Sequence, residues 1–177
     1  VPLQKASQNR LIKDIVVSSE NKWKENLLKT IQMAYKRAPY FSAVFPMIEA
    51  AVLSDEKSIS GIISNSLYLL NDYLNIQTEI VPSSEKYKNG HLKAQDKIID
   101  ICQQESSTTY INPEGGISLY DKEQFSLNNI TLQFLKPYLP VYTQFSNEFS
   151  PALSIIDVLM FNSKENAQHY AATYTLY

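Results

Sequence analysis

Short strand-like runs alternate with helical patterns in the second half of this 177-residue sequence. Residues 78–81, 108–111 and 130–135 predict strands, and residues 92–104 predict a helix between the first two. Residues 174–177 predict a terminal strand. Because strands separated by helices pair most readily in parallel, the alternation predicts an α/β fold, a single domain with a mostly parallel sheet flanked by helices. The length suits one soluble domain spanning residues 1–177.

The first half of the sequence is mainly helical in pattern. A short strand is predicted over residues 11–17, followed by helices over 21–37, 46–53 and 58–74. Pro46 suits the first turn of its helix, and Asn75 can adopt the left-handed conformation that ends the third one. Near the carboxyl end, Ser150 and Pro151 predict the start of a helix reaching residue 161, and residues 163–169 predict another.

The helix predicted over residues 150–161 contains one charged residue, Asp157, among apolar ones. Without a polar stripe this helix is predicted to be central and buried, at Leu153, Ile156, Val158, Leu159 and Met160. A carboxylate in such a place is costly unless it is hydrogen-bonded, paired or facing a cavity. Asp157 is therefore either part of a structural network or a general base serving a cleft. Tyr142 and Gln144, in the preceding polar loop, are predicted ligand contacts that face the same space.

Two polar loops follow two of the predicted strands. Ser83 and Ser84 follow the first, while Asn112, Gly115 and Gly116 follow the second. Ligands bind beyond the carboxyl ends of parallel strands, and paired glycines let backbone N–H groups approach an anion. If the strands over 78–81 and 108–111 are parallel neighbours or next-neighbours, with residues 92–104 as the crossover, both loops share one edge. The alternative is that the glycines only form a turn and the serines only cap the next segment.

Several classes of function are disfavoured by composition and by missing motifs. A net charge of −2 without a basic block argues against nucleic acid, and no apolar run is long enough for membrane insertion. Glycine-rich nucleotide fingerprints and the Gly-x-Ser-x-Gly elbow are lacking, so no cofactor is evident. Neither His91 nor His169 lies at helical spacing from a second potential ligand, which argues against a metal site. Cys102 is predicted to be a buried, inert thiol, and a single cysteine fits a cytoplasmic location.

Many separate blocks of this sequence agree in order and spacing with one family. They are Trp23-Lys24, Lys29-Thr30-Ile31, Tyr35 to Phe41, Ser83-Ser84, Tyr110-Ile111-Asn112-Pro113, Gly115-Gly116, Leu119-Tyr120, Phe125, Tyr142, Gln144, Phe149 and Leu153 to Leu159. In these blocks the chain resembles the WbqC-like protein family, over residues 1–162. The Asn-Pro-x-Gly-Gly form and the Met160-Phe161-Asn162 ending are similar to the branch found in Bacteroidetes-type bacteria.

Two departures from the family pattern affect the expected site. Family members usually carry a further N-terminal segment rich in Pro, Phe and Tyr, so part of any active site is expected to lie outside this sequence. The family also often has a histidine where Leu27 stands, in a Trp-x-x-x-His pattern beginning here at Trp23. We interpret that position as a variable contact on the helix face.

The resemblance implies a place among genes for O-antigen and other surface polysaccharides. It suggests a transferase that moves glycine or another aminoacyl group to a sugar, with a sugar, aminoacyl or nucleotide ligand. In that hypothesis Ser83, Ser84, Asn112, Gly115 and Gly116 hold the ligand, and the base is Asp157 or a residue of the absent N-terminal segment. Two alternatives stay open: a non-catalytic binding or assembly module, and a nucleotide-binding enzyme that adenylates or nucleotidylates its substrate. The sequence predicts no oligomeric state.

Overall fold

The computed structural model describes residues 1–4, 7–146 and 148–177. Its helices are α1 (Lys22–Tyr35), α2 (Phe41–Leu53), α3 (Ile59–Tyr73), α4 (Ala94–Gln104), α5 (Lys122–Leu127), α6 (Ile155–Phe161) and α7 (Lys164–Ala171). Its strands are β1 (Leu3–Gln4), β2 (Val16–Val17), β3 (Thr109–Pro113), β4 (Thr131–Pro137) and β5 (Tyr174–Leu176). The chain forms two compact units: Val1–Glu79 with Pro140–Tyr170, and Ile80–Leu139 with Ala171–Tyr177. The predicted combination of helices and strands is confirmed.

The first unit is built mainly from α1, α2, α3 and α6, with the short antiparallel pair β1 and β2. Its core is centred on Val44, Leu159 and Met160, whose side chains are fully or almost fully buried. As predicted, α3 begins after Ser58, which accepts a hydrogen bond from the Gly61 N–H, and is followed by Asn75 with a left-handed φ of 53°. Both ends of α3 are therefore determined by local signals that can be recognised in the sequence.

Three element boundaries in the first unit differ from the sequence predictions. The predicted strand over residues 11–17 is a 3-10 turn at Ile12–Asp14 followed by the two-residue β2. Helix α2 begins at Phe41, so that Pro46 lies inside it; the missing N–H removes one backbone bond, which tertiary packing outweighs. Helix α6 begins after Ser154, which accepts from the Ile156 N–H at 3.2 Å, and the predicted start at Ser150 is wrong.

Burial along α6 agrees with the prediction at the carboxyl end and fails at the amino end. Leu159 and Met160 are buried, Ile156 and Val158 are half-buried, and Leu153 is 50% exposed. Leu153 precedes the helix, so its side chain is not directed by the helical turn that buries Leu159 and Met160. The helix is central to the first unit only from its second residue onward.

The second unit contains a three-stranded mixed sheet in the order β3-β4-β5. Strands β3 and β4 are parallel, with Thr109 beside Thr131, whereas β5 is antiparallel to β4. Helix α5 lies between β3 and β4 in the chain and contributes Phe125, which is completely buried and stacks on Tyr110 at 5.5 Å between ring centroids. Cys102 on α4 is buried in the same core, as predicted.

The strand predicted over residues 78–81, where the chain passes from the first unit to the second, does not form. Residues 78–81 are irregular and mostly exposed, with Val81 at 37% exposure. The segment holds only two apolar residues before Pro82, and a run this short does not distinguish a strand from extended coil. The parallel neighbour of β3 is instead β4, and the crossover runs through Glu114–Leu119 and α5, not through α4. A mostly parallel sheet is therefore not confirmed.

Candidate functional site

Asp157 is a buried carboxylate near the amino end of α6. Its residue is 3% exposed, and Ser154 places it in the first turn by capping the helix. A negative charge at this position is favoured by the N–H groups that point out of a helix start. The local sequence therefore explains the position of the carboxylate, while its burial needs partners from elsewhere in the unit.

Three neutral side chains donate hydrogen bonds to Asp157. The Tyr35 hydroxyl, at the last residue of α1, donates to Oδ1 at 3.1 Å. The Tyr142 hydroxyl and the Gln144 amide Nε2 donate to Oδ2 at 2.7 and 2.8 Å. Because an ionised carboxylate only accepts hydrogen bonds, three donors suit its charged form. Asp157, Tyr142 and Gln144 are thus brought together as the sequence predicted.

The two tyrosines keep their protons at neutral pH. Burial, followed by the hydrogen bond to Asp157, raises the pKa of both Tyr35 and Tyr142 to about 12. Each phenol therefore donates its only proton to the carboxylate. The Tyr142 oxygen keeps lone pairs that can accept a further hydrogen bond.

Gln144 bridges the loop after Tyr142 through two hydrogen bonds to the backbone of Ser150. Its Nε2 also donates to the Ser150 carbonyl at 3.1 Å, and its Oε1 accepts from the Ser150 N–H at 2.9 Å. The rings of Tyr142 and Phe149 meet edge to face at 5.2 Å. Gln144 therefore joins the buried carboxylate to the loop and fixes the position of both.

A cavity of about 400 Å³, wide open to solvent, lies against this loop. Its described lining residues are Val141, Tyr142, Thr143, Gln144, Ser146 and Phe149. Two of them, Tyr142 and Gln144, are the residues that contact the Asp157 carboxylate. The buried charge is thus one hydrogen bond away from a space large enough for a small ligand.

Tyr35 and Phe149 were not recognised as parts of the site from the sequence. Tyr35 falls on the apolar face of α1, where a ring is ordinarily a core residue. Its hydroxyl needs a partner once the ring is half-buried, and this is the signal that could have linked it to the lone carboxylate. Phe149 carries no comparable signal because its contact with Tyr142 depends on the fold of the loop.

The serine loop of the second unit has a local structural role. Ser83 Oγ accepts from the Glu85 N–H at 3.2 Å and caps the 3-10 turn Ser84–Tyr87. Both serines are exposed, and no strand precedes them. The prediction that Ser83 and Ser84 emerge from a strand end is therefore wrong, and their contact with a ligand stays a prediction.

Asn112, Gly115 and Gly116 lie at the carboxyl end of β3. Asn112 is the fourth residue of the strand, not part of the following loop, and its Nδ2 donates to the Tyr110 hydroxyl at 2.7 Å. Gly116 is buried, and a Cβ there would overlap the Asn112 side-chain oxygen. Gly115 is exposed with open space around it. Neither glycine has a positive φ, so close packing explains Gly116 and nothing in the structure constrains Gly115.

The two predicted groups of site residues belong to different units. Asp157, Tyr142 and Gln144 are in the first, whereas Ser83, Ser84, Asn112 and the glycine pair are in the second. The edge that was to unite the two loops of the second unit depended on the strand over 78–81, which is absent. Among the residues that the structure describes, no group of three or more His, Cys, Asp and Glu side chains is arranged to hold a metal ion. Within the same residues, no helix is both long and apolar enough to span a bilayer.

Comparison with known proteins finds one family and a distant relative. The model of the WbqC-like protein family matches residues 1–169. The chain is similar to an uncharacterized protein of Mycobacterium tuberculosis, with 23% identity over 173 residues, which cover 96% of this chain and 73% of that protein. No solved structure matches the chain at a significant level.

Proposed function

This chain belongs to the WbqC-like protein family, and we propose that it is a cytoplasmic transferase of surface-polysaccharide biosynthesis whose reaction takes place beside Asp157. The pathway is suggested by the resemblance described above, which also suggests an aminoacyl group, such as glycine, moving to a sugar. The position of the reaction is suggested by the geometry of the first unit.

One observation carries this proposal: a buried carboxylate is hydrogen-bonded to residues that line a cavity. A carboxylate kept solely for stability could be replaced by apolar packing, often at no cost. Here Asp157 instead fixes Tyr142 and Gln144 at the cavity wall through bonds of 2.7 and 2.8 Å. Such support of a cavity residue by an inner hydrogen-bonded partner is the arrangement that positions catalytic groups.

In the proposed step, Asp157 acts as a base through Tyr142. A nucleophilic hydroxyl or amine in the cavity attacks the carbonyl carbon of the activated aminoacyl donor and gives its proton to the Tyr142 oxygen. The bond from that carbon to the phosphate leaving group breaks, and the phosphate departs with the bonding electron pair. Tyr142 passes its own proton to Asp157 Oδ2, so the phenol stays neutral and the carboxylate becomes neutral. General-base catalysis of this kind contributes roughly 10² to 10⁴-fold to a rate. Asp157 is then a positioning residue and proton acceptor, while Tyr142 is the group that touches the substrate.

The test is a substrate screen on the protein and on two variants. Sugar nucleotides and aminoacyl-adenylate analogues would be combined with acceptor sugars, and products followed by mass spectrometry. We expect Tyr142→Phe and Asp157→Asn to lower turnover by about 10²-fold or more. Tyr138→Phe and Asp72→Asn change exposed residues of the same types and are matched controls that should retain full activity. Full activity in a folded Asp157→Asn protein would remove Asp157 from the reaction.

A non-catalytic assembly module is the second candidate, and an apolar cavity favours it. This cavity of about 340 Å³ in the first unit is lined by side chains of α1, α2, α3 and α6, including Leu27, the position where the family often has histidine. Helices α1 and α3 have no fully buried side chain. On α3, Ile63, Leu67 and Tyr68 are each more than 40% exposed. Such a surface fits a protein partner.

The two candidates differ in what a charge on α3 would do. If the chain is an assembly module, Ile63→Lys should abolish a complex with other polysaccharide-synthesis proteins, measured by light scattering after gel filtration. The enzyme hypothesis expects turnover to be unchanged by Ile63→Lys. A chain that forms no such complex and turns over a substrate excludes the module.

A further inference from the structure

We propose that the cavity lined by Tyr142, Gln144 and Phe149 binds a protonated amino group of its ligand. This inference rests on the proposed function and specifies which group of the substrate enters the cavity: a primary amine, carried either by the aminoacyl donor or by an amino sugar.

The charge of Asp157 has no opposite charge against it. The residue is 3% exposed, and its three hydrogen-bond donors, Tyr35, Tyr142 and Gln144, are all neutral. None of the ion pairs among the described residues includes Asp157. A buried charge without a counter-charge lowers the energy of any cation that enters the nearest open space.

The cavity wall is also suited to a cation and not to an anion. Its described lining contains no lysine, arginine or histidine. The Arg37 guanidinium lies over the ring of Phe145, 5.5 Å from its centroid, and neither residue is part of that lining. Tyr142 and Phe149 contribute two aromatic rings at 78° to each other, and the negative face of such a ring attracts a positive group. Thr143 and Ser146 add neutral hydroxyls that can accept hydrogen bonds.

The hydrogen bond between Tyr142 and Asp157 determines what Tyr142 can offer a ligand. Because its proton lies on the 2.7 Å bond to Asp157, the Tyr142 oxygen is available only as an acceptor. An ammonium group brings three N–H donors and a positive charge, whereas a sugar hydroxyl brings one donor and no charge. At an effective dielectric constant of about 20, the attraction between an ammonium group and the Asp157 charge should favour the amine by roughly tenfold in affinity.

The experiment compares amine and hydroxyl probes of the same shape on the full chain. Glucosamine is paired with glucose and glycinamide with glycolamide, and binding is followed by NMR titration of the backbone amides of residues 141–149. We expect at least one amine to bind about tenfold more tightly than its hydroxyl partner. The sugar pair and the glycine pair show whether the amine belongs to an amino sugar or to an aminoacyl group.

Two variants test the cause of the preference. In Asp157→Asn the charge is gone, so amine and hydroxyl probes should bind equally. Tyr142→Phe keeps the ring and the fold and removes the acceptor, so amine affinity should fall by about tenfold. Circular dichroism establishes that each variant is folded, and Tyr142→Phe serves alone if Asp157→Asn does not fold.

Each outcome decides the inference. It is overturned if neither amine binds at the cavity more tightly than its hydroxyl partner, or if the amine preference survives in folded Asp157→Asn; the proposed transferase then stands with a neutral substrate. It is also overturned if no probe shifts residues 141–149 up to its solubility limit, and in that case the position of the proposed active site fails as well.

Discussion

Asp157→Asn is the substitution that most directly tests how the buried carboxylate is stabilised. Three hydrogen bonds end on Asp157. Bonds to a charged acceptor contribute about 1.5 to 3 kcal/mol each, and neutral ones about 0.5 to 1.5 kcal/mol. An asparagine oxygen can keep the bonds from Tyr142 and Gln144, whereas its NH₂ group faces the Tyr35 hydroxyl, which must rotate to accept.

Loss of the charge also has a favourable side, since burying an ion costs several kcal/mol. The two effects oppose each other, and we expect Asp157→Asn to lower the free energy of unfolding by about 1 to 3 kcal/mol. Asp157→Ala removes the acceptor altogether and leaves three donors without their partner. We expect it to cost more, about 3 to 5 kcal/mol, as is usual when one member of a buried polar network is deleted.

Urea unfolding at pH 7, monitored by circular dichroism, measures the free energies of unfolding of the Asp157→Asn and Asp157→Ala proteins. A double-mutant cycle that combines Asp157→Asn with Tyr142→Phe measures the coupling between the two residues. Asp72→Asn, on the exposed side of α3, is the control and should change stability by less than about 0.5 kcal/mol. If Asp157→Asn proves as stable as the original protein, or if the cycle with Tyr142→Phe shows no coupling, then the hydrogen bonds do not hold the carboxylate and the reasoning fails.

Three further predictions concern pH, a glycine and cooperativity. The pKa of Tyr35 and of Tyr142 is raised from 10.0 to about 12 in the folded protein. Their contribution to stability is therefore complete below pH 10 and is lost as the pH rises towards 12. Urea midpoints measured across this range should fall less in the Tyr142→Phe protein than in the original protein. Gly116→Ala should cost about 1 to 3 kcal/mol because its methyl group meets Asn112, while Gly115→Ala should be nearly neutral, and equal values would contradict the packing. Because the chain passes between the two units three times, neither unit is one continuous segment, and calorimetry should show one unfolding transition.

The helices and their ends were largely predictable because their signals are local. Ser58 and Asn75 close α3 where the sequence placed them. The strands over 130–135 and 174–177 are present as β4 and β5 with small changes in their bounds. Capping and periodicity depend on residues three or four positions apart, so they can be recognised without the rest of the fold.

The sheet was less predictable because pairing joins residues that are distant in the chain. Residues 78–81 have the composition of a strand but find no partner, while β5 pairs antiparallel with β4 and makes the sheet mixed. Nothing within a short apolar run determines which neighbour it will have or in which direction. Because residues 78–81 form no strand, the shared sheet edge that was expected to bring Ser83 and Asn112 together does not exist.

For the candidate site, the sequence alone identified the unusual residue and the fold identified its partners. Asp157 stands out because a single carboxylate in an apolar helix must be compensated, and that requirement follows from the cost of desolvating a charge. Which side chains compensate it was decided by tertiary structure, since Tyr35 lies 122 positions away in the sequence, and Tyr142 and Gln144 lie 15 and 13 positions away. A local pattern can show that a buried charge needs donors, but only the packing of α1, α6 and the loop between residues 142 and 150 determines which donors reach it.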